Sequence, residues 1–530
     1  MEAALTELFS PSTPAPRRRE LQAQIIAERA RPAAWASYRE ALLQDGSSEA
    51  LLWFVLSLCE AALTLHWPLP PAERQQLKAD LTGMLLGPAA QQERLPASAR
   101  GKALQCLAVL ARWEWPAEDA AALSNVLHLL AAPGAPRLVG ARLLRAIADE
   151  FDPRSHRSTW KAAEQLQASF SLALPDVWSA LQQTLTDGEG GGGGGGAGGE
   201  EGARQLCLAT AGRLIGSASL GGRAPPSGQP ASLLRAVASL VRPRAASASS
   251  CAVACAALDV ISELAERQAP EVGGLLEPLL PALGELLSQM AAAQPPFGLG
   301  AQEAEALEER LSFCLGLLAE RWLITLAPHA APSVLHALWS YSMARGLPQW
   351  GRCVRVTSRF FEAASAYDAF AVGHELLEQL ADGLLPPMRD MLGVRLRLSS
   401  NPDLAGEIDP TDAAEWPDRT LAVCTDDDDK LDDGPGGDGG EDEAFAAADG
   451  HEEEEGFAGL VAEVAELLSS LAALRPAAYL AAAGPPLLQL LPAFAAASRG
   501  EGGAAAPPLL FDLGTAAALL RAVVAHAPPV

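Results

Sequence analysis

Aromatic side chains are scarce in this sequence, at 5% of 530 residues, and the apolar half is mostly alanine and leucine. Those are strong helix formers without a β-branch, so an all-helical chain is the first expectation. Alternating apolar/polar strands are missing, which argues against parallel α/β folds. Long hydrophobic runs are missing too. The longest, "LLWFVLSLCEAALTLHW" at 51–67, is short for a membrane span and contains Glu60, so it reads as a buried helix and no membrane is expected. No secretory leader is seen, because Glu2 and Glu7 come early and Arg17, Arg18 and Arg19 come late. The arginine triplet reads as a solvated helix start rather than a nuclear signal.

Cysteine is sparse, eight residues set mostly in apolar helical stretches, so a reducing compartment is expected. Cys251 and Cys255 are four apart without a nearby histidine, and read as buried hydrophobes rather than zinc ligands. The eight histidines are scattered singly. No HExxH, GxSxG or GxxxxGK[ST] pattern occurs, so neither catalysis, cofactor nor metal is expected. Basic stripes are lacking, which argues against nucleic-acid binding. The net charge of −26 is concentrated: residues 425–456 hold fifteen acids and one lysine, net −14.

What is present is helix after helix. Leu51, Val55, Leu58, Ala62 and Leu65 line one face at helical spacing. Prolines, including Pro68, Pro116, Pro153 and Pro175, punctuate the gaps. The helices group as 34–45 with 49–66, 71–86 with 99–112, 117–131 with 137–150, and 157–171 with 176–186. About 40 residues per pair is the HEAT period. A single pair cannot bury its apolar face, and stacked pairs can, so the expected fold is an all-α, HEAT-type helical-repeat α-solenoid. Repeats are expected over 1–186, 203–395 and 457–530, with a disordered Gly-rich loop at 187–202 and a disordered acidic insertion at 396–456. The end at 530 lacks a polar capping repeat, so further repeats are expected beyond it.

One stretch stands out. "LARWEWPAEDAAAL" (110–123) brackets Glu114 with Trp113 and Trp115 and follows them with Pro116. Both indoles read as packing at an interhelix turn, with Pro116 opening the next helix. This stretch, with "RRRELQAQIIAERARPAAWASYREALL" (17–43), "EALLWFVLSLCEAALTLHWPLPPAERQQLKADL" (49–81) and "LLRAIADEFDPR" (143–154), resembles the N-terminal repeats of the importin-β/exportin (karyopherin-β) family. Trp67, Leu69 and Pro70 occupy the family's first turn and Gln75 and Lys78 the helix after it; over 99–130, Arg100 and Lys102 occupy the basic start of the next repeat's helix, and Trp113, Trp115 and Pro116 the turn that ends it. "LTELFSPSTPAPRRREL" and the segment 455–494 are similar to the exportin branch that carries actin with profilin.

The resemblance implies a nuclear export receptor that binds Ran-GTP and protein cargo cooperatively, cargo being actin–profilin. It implies contact with nuclear pore proteins and shuttling between nucleus and cytoplasm. It places Ran-GTP on the inner helices, at Phe54, Ser57, Glu60, Arg100 and Lys102, and Trp67, Trp113, Trp115 and Pro116 at structural turns. Nothing points to a stable homo-oligomer, so a monomer is expected. Two alternatives stand beside it: a Ran-independent helical-repeat scaffold, and an import receptor of the same family with coupling of the opposite sign.

Overall fold

The computed structural model describes residues 1–31, 34–44, 47–65, 69–87, 95–151, 160–187, 197–216, 229–243, 247–267, 270–292, 296–323, 331–343, 347–366, 374–398, 457–499 and 506–527. Among the described residues there are helices and no strand. The chain divides into two compact units, Met1–Leu279 with Leu299–Leu307, and Leu280–Gly298 with Glu308–Val530. That division falls inside the 203–395 stretch, which the sequence reading treats as continuous.

In the first unit, α1 (Glu2–Phe9) and α2 (Ala15–Arg29) form a hairpin. A 3-10 turn (Ala34–Tyr38) and the short α3 (Arg39–Leu43) follow, then α4 (Glu49–Leu65), α5 (Pro71–Leu86), α6 (Ala97–Glu114), α7 (Ala122–Ala131) and α8 (Ala135–Glu150). The unit continues with α9 (Trp160–Thr186), α10 (Ala197–Gly216), α11 (Gln229–Leu240), α12 (Ala248–Ala265) and α13 (Pro270–Leu276). Two rows of helices result. α4, α6, α8, α10 and α12 pack successively in one row, and α7, α9 and α11 in the other, with α5 packed on α3, α6 and α8. The helices from α6 to α12 therefore touch a neighbour in sequence and the helix two places along, which is the layering of a HEAT-type solenoid.

α5 and α7 do not close up on each other. A cavity of about 420 Å³ lies between them, lined by Leu85, Leu86, Leu107, Leu110, Val126 and Val139 among others. Elsewhere the rows are tight: Val55, Leu56, Cys59, Leu63, Leu77, Ala99 and Ala103 are fully buried. Each such leucine contributes roughly 1.5–3 kcal/mol relative to exposure.

The second unit contains α14 (Leu280–Ala292), the later part of α15 (Ala301–Arg321), α16 (Ala331–Met343), α17 (Leu347–Ala366) and α18 (His374–Asp390), which runs on into a π turn at Met391–Arg395. After the acidic segment come α19 (Phe457–Leu474), α20 (Pro476–Ser498) and α21 (Ala506–Val524). α14, α16, α18 and α20 pack in one row and α17, α19 and α21 in the other. Polar anchors tie neighbouring segments. Tyr479 donates to the Ala381 carbonyl at 2.6 Å, Arg475 pairs with Asp382 at 2.8 Å, and the Leu398 amide donates to the buried Asp512 carboxylate at 2.6 Å.

Several expected boundaries move. The two helices expected at 157–171 and 176–186 are, over the described residues, one helix, α9 (Trp160–Thr186), with Pro175 inside it. Phe170, Leu174, Val177, Trp178, Leu181 and Leu185 form one buried stripe across the proline, and that burial outweighs the lost hydrogen bond. The helix expected over 34–45 is a 3-10 turn followed by α3, which lets Trp35 turn into the core at 2% exposure. The 187–202 loop is shorter than expected, because α10 starts at Ala197. Glu200 there pairs with Arg137 of α8 at 2.8 Å, and Glu201 accepts from Ser249 of α12, so the first turn is held from both sides. The rest of the glycine run, residues 188–196, and most of the acidic insertion, 399–456, lie outside the described residues.

Among the described residues, two helices are long and apolar enough to cross a membrane by length and composition: α12, and Pro476–Ala497 in α20. The first is largely buried, whereas α20 leaves Leu480, Leu488 and Leu491 exposed.

Candidate functional site

The five residues singled out for partner contact separate into two kinds. Phe54 and Ser57 are 1% and 2% exposed, and the Ser57 hydroxyl donates to the Phe54 carbonyl at 2.7 Å. This corrects their placement at a contact surface. α4 is covered on nearly every side, by the 3-10 turn, α1, α2, α3 and α6. Tyr38 packs edge-on against Phe54 at 5.5 Å. An amphipathic reading gives such a helix a free face that the packing does not leave.

Glu60, Arg100 and Lys102 remain partly exposed. Glu60 of α4 and Lys102 of α6 meet at 2.5 Å, and Lys102 also reaches Gln105 at 3.3 Å. Arg100 turns back to donate to the Leu95 carbonyl at 3.0 Å, closing the start of α6. The local arrangement is thus an acid–base bridge between neighbouring helices, with Arg100 engaged separately at the start of α6.

The same row of helices carries further bridges that the sequence reading did not assemble. Arg112 of α6 meets Glu150 of α8 at 2.6 Å, both largely buried. Asp149 of α8 takes Arg145 and, from α10, Arg213, each at 3.2 Å. Arg145–Asp149 lies within α8 and the other bridges each span one helix junction, so every junction from α4 to α10 in this row has a charged tie. The signal was available in part: Glu150 is the last residue of its helix and is buried. Its partner lies 38 residues upstream, beyond the reach of a local spacing rule.

The tryptophan turn resolves clearly. Trp115 is 9% exposed, stacked on Phe151 at 5.7 Å and edge-on to Phe170 at 6.4 Å, and those two phenylalanines meet at 5.3 Å. Trp113 is 39% exposed, with the Arg112 guanidinium 4.8 Å from its ring centre. Glu114 between them is buried, flanked by Arg74 at 3.7 Å and Lys78 at 3.8 Å from α5. Those two cations also bond Glu118 and Asp119 in the turn itself. The Glu114 carbonyl accepts the Glu118 and Asp119 amides at 2.7 and 3.0 Å. Pro116 does not open the next helix, contrary to expectation. It sits in this turn, and α7 begins at Ala122, because the amides of 118 and 119 are committed to Glu114. Trp67 lies outside the described residues.

The buried thiols are chemically quiet. Burial pushes Cys106, Cys207 and Cys353 up to about 12 from an ordinary 9.0, and Cys59 well above that ordinary value. Cys251 donates to the Glu303 carbonyl at 3.1 Å. A thiol is neutral when protonated, so a raised folded-state pKa stabilises the fold fully below about pH 9, and the contribution is lost as pH rises toward 12. We expect the urea midpoint to fall between pH 9 and 11, and to fall less steeply in a Cys106→Ala/Cys207→Ala/Cys353→Ala variant. Equal slopes would show that these thiols are not what titrates.

No family model matches the chain, and no curated protein matches it. Among solved structures the chain is similar to yeast importin-beta (Kap95p), at 13% identity and TM-score 0.42, over 99% of this chain and 57% of that one. It is similar at 12% identity and TM-score 0.42 to Kap95p in a structure concerned with the switch loops of RanGDP, over 98% and 57% of the two chains. A third similarity is to importin beta crystallised in ammonium sulfate, at 11% identity and TM-score 0.38, over 99% and 67%. The chain spans a little over half the length of the first two.

Proposed function

We propose that the chain is part of a nuclear export receptor related to exportin 6, which binds Ran-GTP and actin–profilin together and shuttles between nucleus and cytoplasm. The sequence likeness over 17–154 supports the family. The observation that carries the site is the Glu60–Lys102 bridge: paired charges on adjacent helices, in the segment that the sequence likeness assigns to Ran. Charges so arranged set partner choice and on-rate more than bulk affinity. Ran-GTP and cargo on one array would raise each other's affinity by the same factor. GTP hydrolysis would remove Ran's share and release cargo.

The test is a pull-down with Ran held in its GTP or GDP state, with and without actin–profilin. Preference for Ran-GTP supports a transport receptor, strengthening by actin–profilin supports export, and weakening supports import. The Glu60→Lys/Lys102→Glu exchange keeps the bridge and reverses its polarity. We expect it to leave the helical circular dichroism unchanged and to weaken Ran-GTP binding about tenfold, the loss of one well-placed charge contact. Binding that ignores the nucleotide in both chains returns the reading to a Ran-independent scaffold.

A further inference from the structure

The whole sequence contains two Ser/Thr–Pro dipeptides, Ser10–Pro11 and Thr13–Pro14, and both fall in the five residues joining α1 to α2. The two differ in access. Thr13 is 8% exposed, and its hydroxyl donates to the Glu7 carbonyl, which holds it inside the hairpin. Ser10 is partly exposed and extended, at φ −68° and ψ 130°, and is followed by the exposed Pro11 and Ser12. Its hydroxyl lies 2.7 Å from that of Ser12, on the solvent side. An extended acceptor followed by proline is the shape a proline-directed kinase groove takes, since proline holds the preceding residue out of the helical region.

The surroundings are cationic. Arg17, Arg18 and Arg19 lie in the first turns of α2. Arg17 is already committed, to both Glu7 oxygens at 2.9 and 3.1 Å and to Glu20 at 3.0 Å, and Glu7 is held below the usual carboxylate range by it. Arg18 is different. Its guanidinium lies across the loop, 3.4 Å from the Ser10 carbonyl and 3.5 Å from the Thr13 carbonyl. Among the described residues no carboxylate is paired with it.

We propose that Ser10 is a phosphorylation site for a proline-directed Ser/Thr kinase, and that Arg18 holds the resulting phosphate. The Ser10 hydroxyl oxygen attacks the γ-phosphorus of ATP, and its proton passes to the kinase's base. The new O–P bond forms as the bond to the β-phosphate bridging oxygen breaks, and ADP leaves. The product carries roughly −1.5 to −2 charge at neutral pH and three acceptor oxygens. Placed at the C-terminal end of α1, beside Glu7, that charge alone would oppose the helix. Arg18 decides the sign: a guanidinium–phosphate pair would join the end of α1 to the start of α2. Ran binding plays no part in it.

The experiment treats the full chain with a cyclin-dependent or mitogen-activated kinase and ATP, alongside the isolated peptide 5–20 as a control substrate. We expect phosphate on Ser10 in the folded chain, none there in Ser10→Ala, and undiminished incorporation in Thr13→Val. Hydrogen exchange then reads the consequence. Amides of α1 slow several-fold on phosphorylation in the parent chain, and are unchanged or faster in Arg18→Ala. Modification of the peptide but not the folded chain overturns the site, as does phosphate found only on Ser12 or Thr13. Slowing that persists in Arg18→Ala overturns the phosphate's partner.

Discussion

Trp115→Ala is expected to lower the stability of the first unit by about 3–5 kcal/mol, the usual cost of removing a large buried aromatic, while Trp113→Ala costs less than about 1 kcal/mol. The two indoles are separated by one residue and differ by a half-turn of environment. Trp115 closes a three-ring cluster with Phe151 and Phe170, joining the end of α6 to the end of α8 and to α9. Its removal leaves a void whose walls are anchored on three helices, so little collapse can relieve it. Trp113 lies on the outside against Arg112, where exposed cation–π pairs are worth about 0.5–1 kcal/mol. A helical array need not unfold in one step, so hydrogen exchange by segment is the better gauge than a single midpoint. Protection should drop in α6, α8 and α9 for Trp115→Ala and stay near parental for Trp113→Ala. Equal losses in both variants would mean that the cluster does not hold these helices together.

The WEW stretch also shows what a sequence makes legible. Its role as a packed turn follows from composition, because a chain poor in aromatics puts large rings where geometry is demanding. Which indole points inward does not follow, since that depends on Phe151 and Phe170, 36 and 55 residues away from Trp115. Helix positions were readable from the recurrence of leucine and alanine at three and four. Proline was the weak guide. Pro116 was expected inside a helix start and stands in a turn, while Pro175 was expected between helices and stands inside one. In the first case a local backbone acceptor decided, the Glu114 carbonyl; in the second it was tertiary burial, the continuous stripe from Phe170 to Leu185.

The contact residues divide for a related reason. Periodicity separates a buried from a free face only where a helix has a free face. α4 has almost none, so Phe54 and Ser57 belong to the core, and what α4 shows outside is Trp53, Leu65 and the Glu60 bridge. The charged ties along α4, α6, α8 and α10 pair residues about 40 to 65 apart. That separation is one repeat or more, so such pairs emerge only after the repeats are stacked.

Stacking also sets the fate of one glycine against every propensity scale. Replacing a mid-helix glycine with alanine ordinarily stabilises a helix by roughly 0.5–1 kcal/mol. Gly83 of α5, with nothing within 4 Å of an added Cβ, should behave so. Gly140 of α8 should do the reverse. A Cβ there would lie 2.5 Å from the Leu130 nitrogen and 2.9 Å from the Leu129 carbonyl carbon. These are backbone atoms of α7, which cannot swing aside as a side-chain tip can. α7 would have to move as a body, and Leu123, Val126 and Leu130 seat it against the core. Overpacking of this kind costs about 1–3 kcal/mol, enough to overcome the propensity gain. Gly140→Ala should therefore lower the urea midpoint of the first unit and loosen α7 in hydrogen exchange, while Gly83→Ala raises the midpoint slightly. If both variants stabilise, α7 and α8 do not approach so closely, and glycine at 140 would lose its physical reason.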